Sequence, residues 1–279
     1  MLVGLSRPAV AEAIARALAE DLGRGDLTTD ALIEPGARSA ASLMVRQAGI
    51  VAGLDLAEAA FRALDPDIVF EIVAPEGSCA GPGATVARIS GSTRALLSGE
   101  RVALNFLCHL SGIATLTSRY VAAVAGTKAR IADTRKTLPG LRLFEKYAVR
   151  VGGGSNHRFG LDDAVMIKDN HIVAAGGIAP AIRRVRAAVG HMVRICCEID
   201  LLSQLDEALE AGVDVVLLDN MNPPTMAEAV RRIGGRAVAE ASGKVSLETV
   251  VAIAATGVDV ISIGRLTHSA PALDLALDF

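Results

Sequence analysis

The sequence predicts an α/β protein built in two parts: an N-terminal α+β sandwich followed by an incomplete, TIM-like α/β barrel. Three observations carry this reading. From Ala129 onward, continuous apolar segments alternate with amphipathic helical stretches, the pattern of parallel strands covered by helices. Before that point strands and helices mix without steady alternation. Every apolar segment of the second part also turns polar at the same end, as barrel strands do where their chemistry gathers.

The elements follow in order. Ser6-Arg7-Pro8 opens a helix, with Ser6 as N-cap and Pro8 in the first turn, and apolar residues recur at Val10, Ile14, Leu18 and Leu22. Ser42 to Gln47, Ile68 to Val73 and Thr85 to Ile89 read as short strands, and Gly53 to Leu64 reads as a helix. Turn clusters at Pro75-Glu76-Gly77 and Gly81-Pro82-Gly83 separate the later strands. A long helical pattern from about Ser92 to Ala123, with a break expected near Ser111-Gly112, bridges the two parts. Six strand candidates come next: Ala129 to Ala132, Ala164 to Ile167, Val193 to Ile199, Val215 to Leu218, Ala237 to Glu240 and Val258 to Ile263. Helices such as Leu202 to Ala211 and Ser246 to Thr256 lie between them. Six strands rather than eight predict an incomplete barrel, with an open doubly wound sheet as the alternative. The expected boundaries are 1–112 for the sandwich with its bridging helix, 113–268 for the barrel, and 269–279 for a tail returning to the N-terminal domain.

Composition narrows the function. The 279 residues are 51% hydrophobic but only 3% aromatic, with no Trp, so the core is built from Ala, Val, Leu and Ile. The net charge of −3, with no basic tail, argues against nucleic-acid binding, whose footprint is a basic face. No apolar run reaches the length of a membrane span, and the N-terminus has no signal-peptide pattern, so a cytoplasmic protein is expected. Cys79, Cys108, Cys196 and Cys197 have neither zinc-site nor disulfide-framework spacing and are expected to be buried free thiols.

The strand ends point to chemistry. They read Asp133-Thr134-Arg135-Lys136, Lys168-Asp169-Asn170, Glu198 with Asp200, Asp219-Asn220, Glu240-Ala241-Ser242-Gly243 and Ser262-Ile263-Gly264. With Asn156-His157-Arg158 they gather cations where desolvation is costly unless an anion sits among them. A small, multiply negative substrate fits. Ser242-Gly243-Lys244 and Gly264-Arg265, after the last two strands, offer the small residues and backbone donors of a phosphate site. Glu198 and Asp219 are suited to Mg²⁺ or to sugar hydroxyls. Gly152-Gly153-Gly154 follows a helix and lacks dinucleotide-loop spacing, and His157 has no second metal ligand at suitable spacing.

These residues resemble the quinolinate phosphoribosyltransferase family through nearly the whole chain. The matching segments are Glu20 to Thr29, Glu100 to Leu107, Leu110 to Thr115 and Asp133 through His171. Leu218-Asp219-Asn220-Met221, Glu240-Ala241-Ser242-Gly243 and Thr267-His268-Ser269 complete them. The resemblance implies transfer of the phosphoribosyl group of phosphoribosyl pyrophosphate (PRPP) to quinolinate with Mg²⁺, giving nicotinate mononucleotide, CO₂ and pyrophosphate, with no organic cofactor. It implies a homodimer with active sites shared across the interface, and neither a nucleic-acid nor a membrane partner. Arg135, Lys136, His157 and Arg158 would hold the quinolinate carboxylates, joined by Arg101 of the neighbouring subunit. Lys168 would lie between the substrates, and Glu198 and Asp219 would serve ribose and metal, these three forming the catalytic set. Ser242, Gly243 and Gly264 would bind the 5′-phosphate, and Thr134 and Lys244 complete the substrate-binding set. Lys244 departs from the family pattern, where a small or polar residue is more usual. A paralogous group associated with molybdenum transport shares the fold and is the alternative. The intact Asn156-His157-Arg158 and Lys168-Asp169-Asn170-His171 segments favour the transferase.

Overall fold

The computed structural model describes residues 4–279, and contacts divide the chain into two units. One takes the chain through Ser118 together with Leu143–Gly153 and Ser269–Phe279; the other takes Arg119–Arg142 and Gly154–His268.

The chain starts with α1 (Arg7–Leu22) and α2 (Leu27–Leu32). Ser6 occupies the N-cap of α1 and makes no side-chain capping bond; at α2 the Asp26 carboxylate accepts the Thr29 N–H at 3.0 Å. Then come β1 (Arg38–Val45), β2 (Gly49–Ile50), α3 (Leu54–Leu64), β3 (Val69–Ile72), β4 (Cys79–Ala80) and β5 (Thr85–Ser92). The last strand, β12 (Leu275–Asp278), returns to pair with β1, opposing Leu277 to Leu43, and the antiparallel order is β12-β1-β5-β3. Ala41, Leu43 and Val45 face the core from β1, while Leu54, Leu56, Ala57, Ala60 and Phe61 form the buried stripe of α3. The expected strands and helix of the sandwich are all present, with β1 beginning four residues earlier than its apolar run.

The bridging helix α4 (Thr93–Ala123) is continuous for 31 residues, which corrects the expected break at Ser111-Gly112. Those residues are instead a packing device. Buried Ser111 Oγ accepts the Ala52 N–H at 2.9 Å and donates to Ala52 O at 3.2 Å. A Cβ on Gly112 would strike the Pro271 carbonyl, so glycine admits the returning tail. The cysteine expectation needs amendment too: Cys196 and Cys197 are buried, Cys79 is exposed and Cys108 is partly exposed, all four as free thiols.

In the second unit the chain runs β6 (Arg130–Ala132), α5 (Arg142–Val151), β7 (Val165–Ile167), α6 (Asp169–Ala175), α7 (Ile178–Ala188), β8 (Ile195–Ile199), α8 (Leu205–Glu210), β9 (Val215–Asp219), α9 (Pro223–Ile233), β10 (Val238–Ser242), α10 (Val250–Ala255), β11 (Val260–Ser262) and α11 (Arg265–His268). Most of α5 groups with the first unit, although it lies within the barrel segment in sequence. The strands are parallel, in the order β6-β11-β10-β9-β8-β7. Sequence-adjacent strands therefore neighbour each other from β7 round to β11, and β11 closes on β6. Between β6 and β7 the ladder is interrupted, with only a bridge from Ala132 to Ser155 beside β6. This is a barrel with an open seam; a doubly wound sheet would reverse its strand order. Among the described residues no helix is long and apolar enough to cross a membrane.

Candidate active site

Parallel register brings the polar strand ends to one rim. Ile167 pairs with Cys197, so Lys168 and Glu198, the next residue on each strand, become neighbours. Ile199 pairs with Leu218, which sets Asp200 beside Asp219, and Asp219 pairs with Ser242. Ser262 pairs with Ala132, setting the turn at Gly264 against Thr134. The six ends singled out from the sequence thus line one mouth.

The cationic wall grows from the end of β6. Asp133 is fully buried, and its two oxygens accept the His157 backbone N–H at 2.8 Å and the Asn156 amide at 2.6 Å. That carboxylate ties residues 156–158 to the strand end. The His157 ring is engaged on both sides: Nδ1 accepts the Arg158 N–H at 2.7 Å, and Nε2 lies 3.3 Å from Glu240 Oε1. Arg158 Nη1 donates to Ala164 O at 2.9 Å. Burial, and then the positive charge of Arg135, hold the Arg158 guanidinium below its usual range. Buried Arg135 Nε has no hydrogen-bond partner among the described residues. Two guanidiniums that disfavour each other, one with an unused donor, form a pocket that an anion would relieve.

Arg142 is a positioning residue that strand-end reasoning overlooked. Its guanidinium donates to Thr137 Oγ1 at 3.0 Å, Phe159 O at 3.0 Å and Arg135 O at 3.3 Å, stapling the loop after β6 to the loop after Arg158. The signal was weak: one arginine opening a helix. Asp163 adds to the same loop by accepting the N–H groups of Phe159 at 2.6 Å and Gly160 at 3.1 Å.

Across the mouth lies an acidic wall. Glu198, Asp200 and Asp219 each bring a carboxylate oxygen within 4.8 Å of the others. Asp200, noted at its strand end but not assigned to the site, completes this group. Hard oxygen donors at this spacing fit a magnesium ion, or the hydroxyls of a ribose. Lys168 Nζ reaches Glu198 Oε2 at 2.6 Å, its side chain 47% exposed, so the ammonium is held at the mouth and remains accessible. The Lys168 N–H bonds His171 Nδ1 at 3.0 Å, fixing the start of α6.

The turns after β10 and β11 are the tight ones. Gly243 adopts φ 95°, and a Cβ there would strike the Asn220 amide, whose backbone N–H donates to Ser242 O at 3.0 Å. Lys244 follows in the left-handed region at φ 48°, with an exposed side chain. At Gly264 an added Cβ would lie 2.8 Å from Lys136 Cδ and 3.4 Å from Thr134 Oγ1. Thr134 Oγ1 accepts the Lys136 N–H at 3.0 Å, and Thr267 Oγ1 donates to Lys136 O at 2.7 Å. Every site residue proposed from the sequence lies on this unit except Arg101. That residue sits on α4 of the other unit, exposed, with Glu100 3.9 Å away.

Comparison with known proteins identifies the family of the chain. The family model for the quinolinate phosphoribosyl transferase C-terminal domain matches residues 113–278, and that for the N-terminal domain matches residues 26–111. A probable nicotinate-nucleotide pyrophosphorylase (carboxylating) of Bacillus subtilis is 45% identical over 260 residues, covering 93% of this chain and 89% of its own length. The nicotinate-nucleotide pyrophosphorylase (carboxylating) of Mycobacterium leprae is 43% identical over 287 residues, covering 100% of both chains. Among solved structures, NadC from Streptococcus pyogenes superposes with a TM-score of 0.97 at 41% identity, covering 99% of this chain and 98% of that one. The chain belongs to the quinolinate phosphoribosyltransferase family.

Proposed function

We propose that this protein is a pentosyltransferase that joins quinolinate to the ribose of PRPP and releases CO₂ and pyrophosphate, forming nicotinate mononucleotide. The observation that carries the reading is that one barrel carries both two guanidiniums, Arg135 and Arg158, that disfavour each other and an acidic trio on its strand ends. A dianionic acceptor and a phosphorylated sugar call for these two kinds of surface together. The molybdenum-transport reading is not favoured by relatives this similar along the whole chain.

Loss of pyrophosphate from ribose C1 develops oxocarbenium character, which needs positioning and charge stabilisation more than a strong base. The quinolinate nitrogen carries no proton to remove, which fits a site poor in acid–base pairs. Arg135, Lys136 and Arg158 orient the acceptor, chiefly through its 3-carboxylate. A tight grip on the 2-carboxylate would oppose its departure as CO₂. The positive ribosylated ring nitrogen stabilises the electron pair left on C2 when CO₂ departs, and that carbon then takes up a proton from solvent, so no organic cofactor is required. Lys168 lies between the substrates and exchanges its Glu198 partner for substrate anion. Glu198, Asp200 and Asp219 would hold Mg²⁺ or the ribose hydroxyls, and the metal would neutralise charge on the departing pyrophosphate. Thr134, Ser242, Gly243, Lys244 and Gly264 surround the 5′-phosphate. The protein acts as a cytoplasmic homodimer, with Arg101 entering the partner's site and with neither nucleic acid nor membrane as a partner.

Incubation with carboxyl-labelled quinolinate, PRPP and Mg²⁺ tests the activity. Stoichiometric CO₂ and nicotinate mononucleotide are expected; tight binding of ligand without turnover would move the protein to the transport-accessory class. The shared site has a separate test. Mixing inactive Arg101→Ala subunits with inactive Lys168→Ala subunits should restore partial activity, because one site of each hybrid keeps both residues. No recovery after verified subunit exchange would return Arg101 to its own chain.

A further inference from the structure

We infer that Glu240 is a positioning residue for the acceptor pocket, acting through the ring of His157. Glu240 lies on the interior face of β10, one pleat below Ser242, opposite Leu217 on β9 and Val260 on β11. It is 4% exposed, and its Oε1 has no hydrogen-bond partner among the described residues. A carboxylate in that state is costly to bury, so its presence beneath a pocket for anions calls for a reason. The carboxylate lines a cavity of about 440 Å³ that it shares with His157, Arg158, Arg130 and Arg194, yet no hydrogen bond from these residues reaches its Oε1.

The reason lies in the imidazole above it. His157 Nδ1 accepts the Arg158 N–H at 2.7 Å and therefore presents a lone pair, not a proton. The remaining ring proton is on Nε2, and Nε2 faces Glu240 Oε1 at 3.3 Å. With the His157 backbone N–H held by Asp133 at 2.8 Å, the residue is anchored at its backbone and at Nδ1, and Nε2 is left beside the Glu240 carboxylate. The charge of Glu240 beside Nε2 favours the proton there, the tautomer that lets Nδ1 hold the Arg158 backbone. A ring turned or protonated the other way would leave the Arg158 N–H without its acceptor and loosen the residue whose guanidinium faces the dianion. His157 thus serves the acceptor through Arg158, and Glu240 serves it through His157. The kinetic consequence rests on the quinolinate reading of the pocket; the tautomer does not.

Two measurements test this on the intact protein. Nitrogen NMR of protein labelled at histidine, with the His157 ring assigned from its loss in His157→Asn, should find the proton on Nε2. A proton on Nδ1 would overturn the inference whether or not the protein turns over quinolinate. In steady-state kinetics, Glu240→Leu should raise KM for quinolinate about tenfold or more while KM for PRPP moves less than about twofold. Glu240→Gln keeps an oxygen able to accept the Nε2 proton and should recover most of that loss. Equal rises in both KM values, or a Gln variant as impaired as Leu, would reduce Glu240 to a fold or charge role. If the Leu variant does not fold, the Gln variant and the NMR readout decide.

Discussion

The two walls of the barrel mouth are built by opposite means. The cationic wall is indirect: the segments that carry Arg135 and Arg158 are held by hydrogen bonds from Asp133, Arg142, Asp163 and the His157 ring. The acidic wall is direct: Glu198, Asp200 and Asp219 stand on strand ends, and register alone brings them together. Long guanidinium stems need bracing to hold a planar, two-point grip, whereas short carboxylates on a rigid sheet do not. Lys168 links the walls through its 2.6 Å contact to Glu198. The contrast predicts that the cationic side fails when its supports are cut, and that the acidic side fails only through its own residues or its turns.

The largest effect should come from Arg158→Lys. Charge is kept but the planar grip is lost, at a cost of roughly 2–4 kcal/mol in kcat/KM for quinolinate. Near-normal kinetics would break the comparison at its strongest point. Asp133→Ala should come next. It strands the His157 N–H and the Asn156 amide and should cost about 2 kcal/mol of stability by denaturant titration. Its kinetic defect should fall on quinolinate rather than PRPP. On the other wall, Gly243→Ala forces a Cβ onto Asn220 at a left-handed position, with an expected loss of about 1–2 kcal/mol. Here the rise in KM should fall on PRPP; a rise on quinolinate instead would mean the two walls are not separate.

The smallest effect sharpens the contrast from the opposite ends of the same strands. Asp214 and Asp259 occupy matching Gly-Val-Asp-Val turns, accepting the Ile195 and Ala239 N–H groups at 2.8 Å each. Burial pushes both carboxyls up, but those hydrogen bonds, with Arg186 for Asp214 and Lys128 for Asp259, hold them below the ordinary value of 3.8. A depressed carboxylate stabilises the fold above its unfolded pKa and loses that contribution as pH falls through the folded value. Asp214→Asn and Asp259→Asn should therefore lower the urea midpoint modestly at pH 7. The gap from wild type should close as pH falls through the depressed folded values, where both carboxyls take up protons. A gap that persists in acid would assign the effect to packing.

The barrel was legible because its signal is periodic: each strand is an apolar run ending in polar residues, and parallel register turns those ends into a rim. Lys168 beside Glu198 follows from that logic. What escaped is what periodicity does not encode. Ser111-Gly112 looks like a helix break, because only tertiary structure shows Ala52 and Pro271 waiting for it. Arg142 falls in a segment that the family resemblance marks but no strand end explains, and its partners lie on two loops that sequence spacing does not bring together. Glu240 reads as one more strand-end acid, yet it lies one pleat deeper on the same face, 3.3 Å from His157, while Ser242, two residues on, reaches the rim.

The central claim is that the braced cations recognise a dianion whose 2-carboxylate is then lost. The measurement that bears on it most directly compares kcat/KM for quinolinate and for nicotinate, which lacks that carboxylate, under identical PRPP and Mg²⁺. Quinolinate should be preferred by about tenfold or more, because nicotinate keeps the 3-carboxylate but forfeits the looser contact of the cationic wall with the 2-carboxylate. Equal turnover of the two would contradict the account.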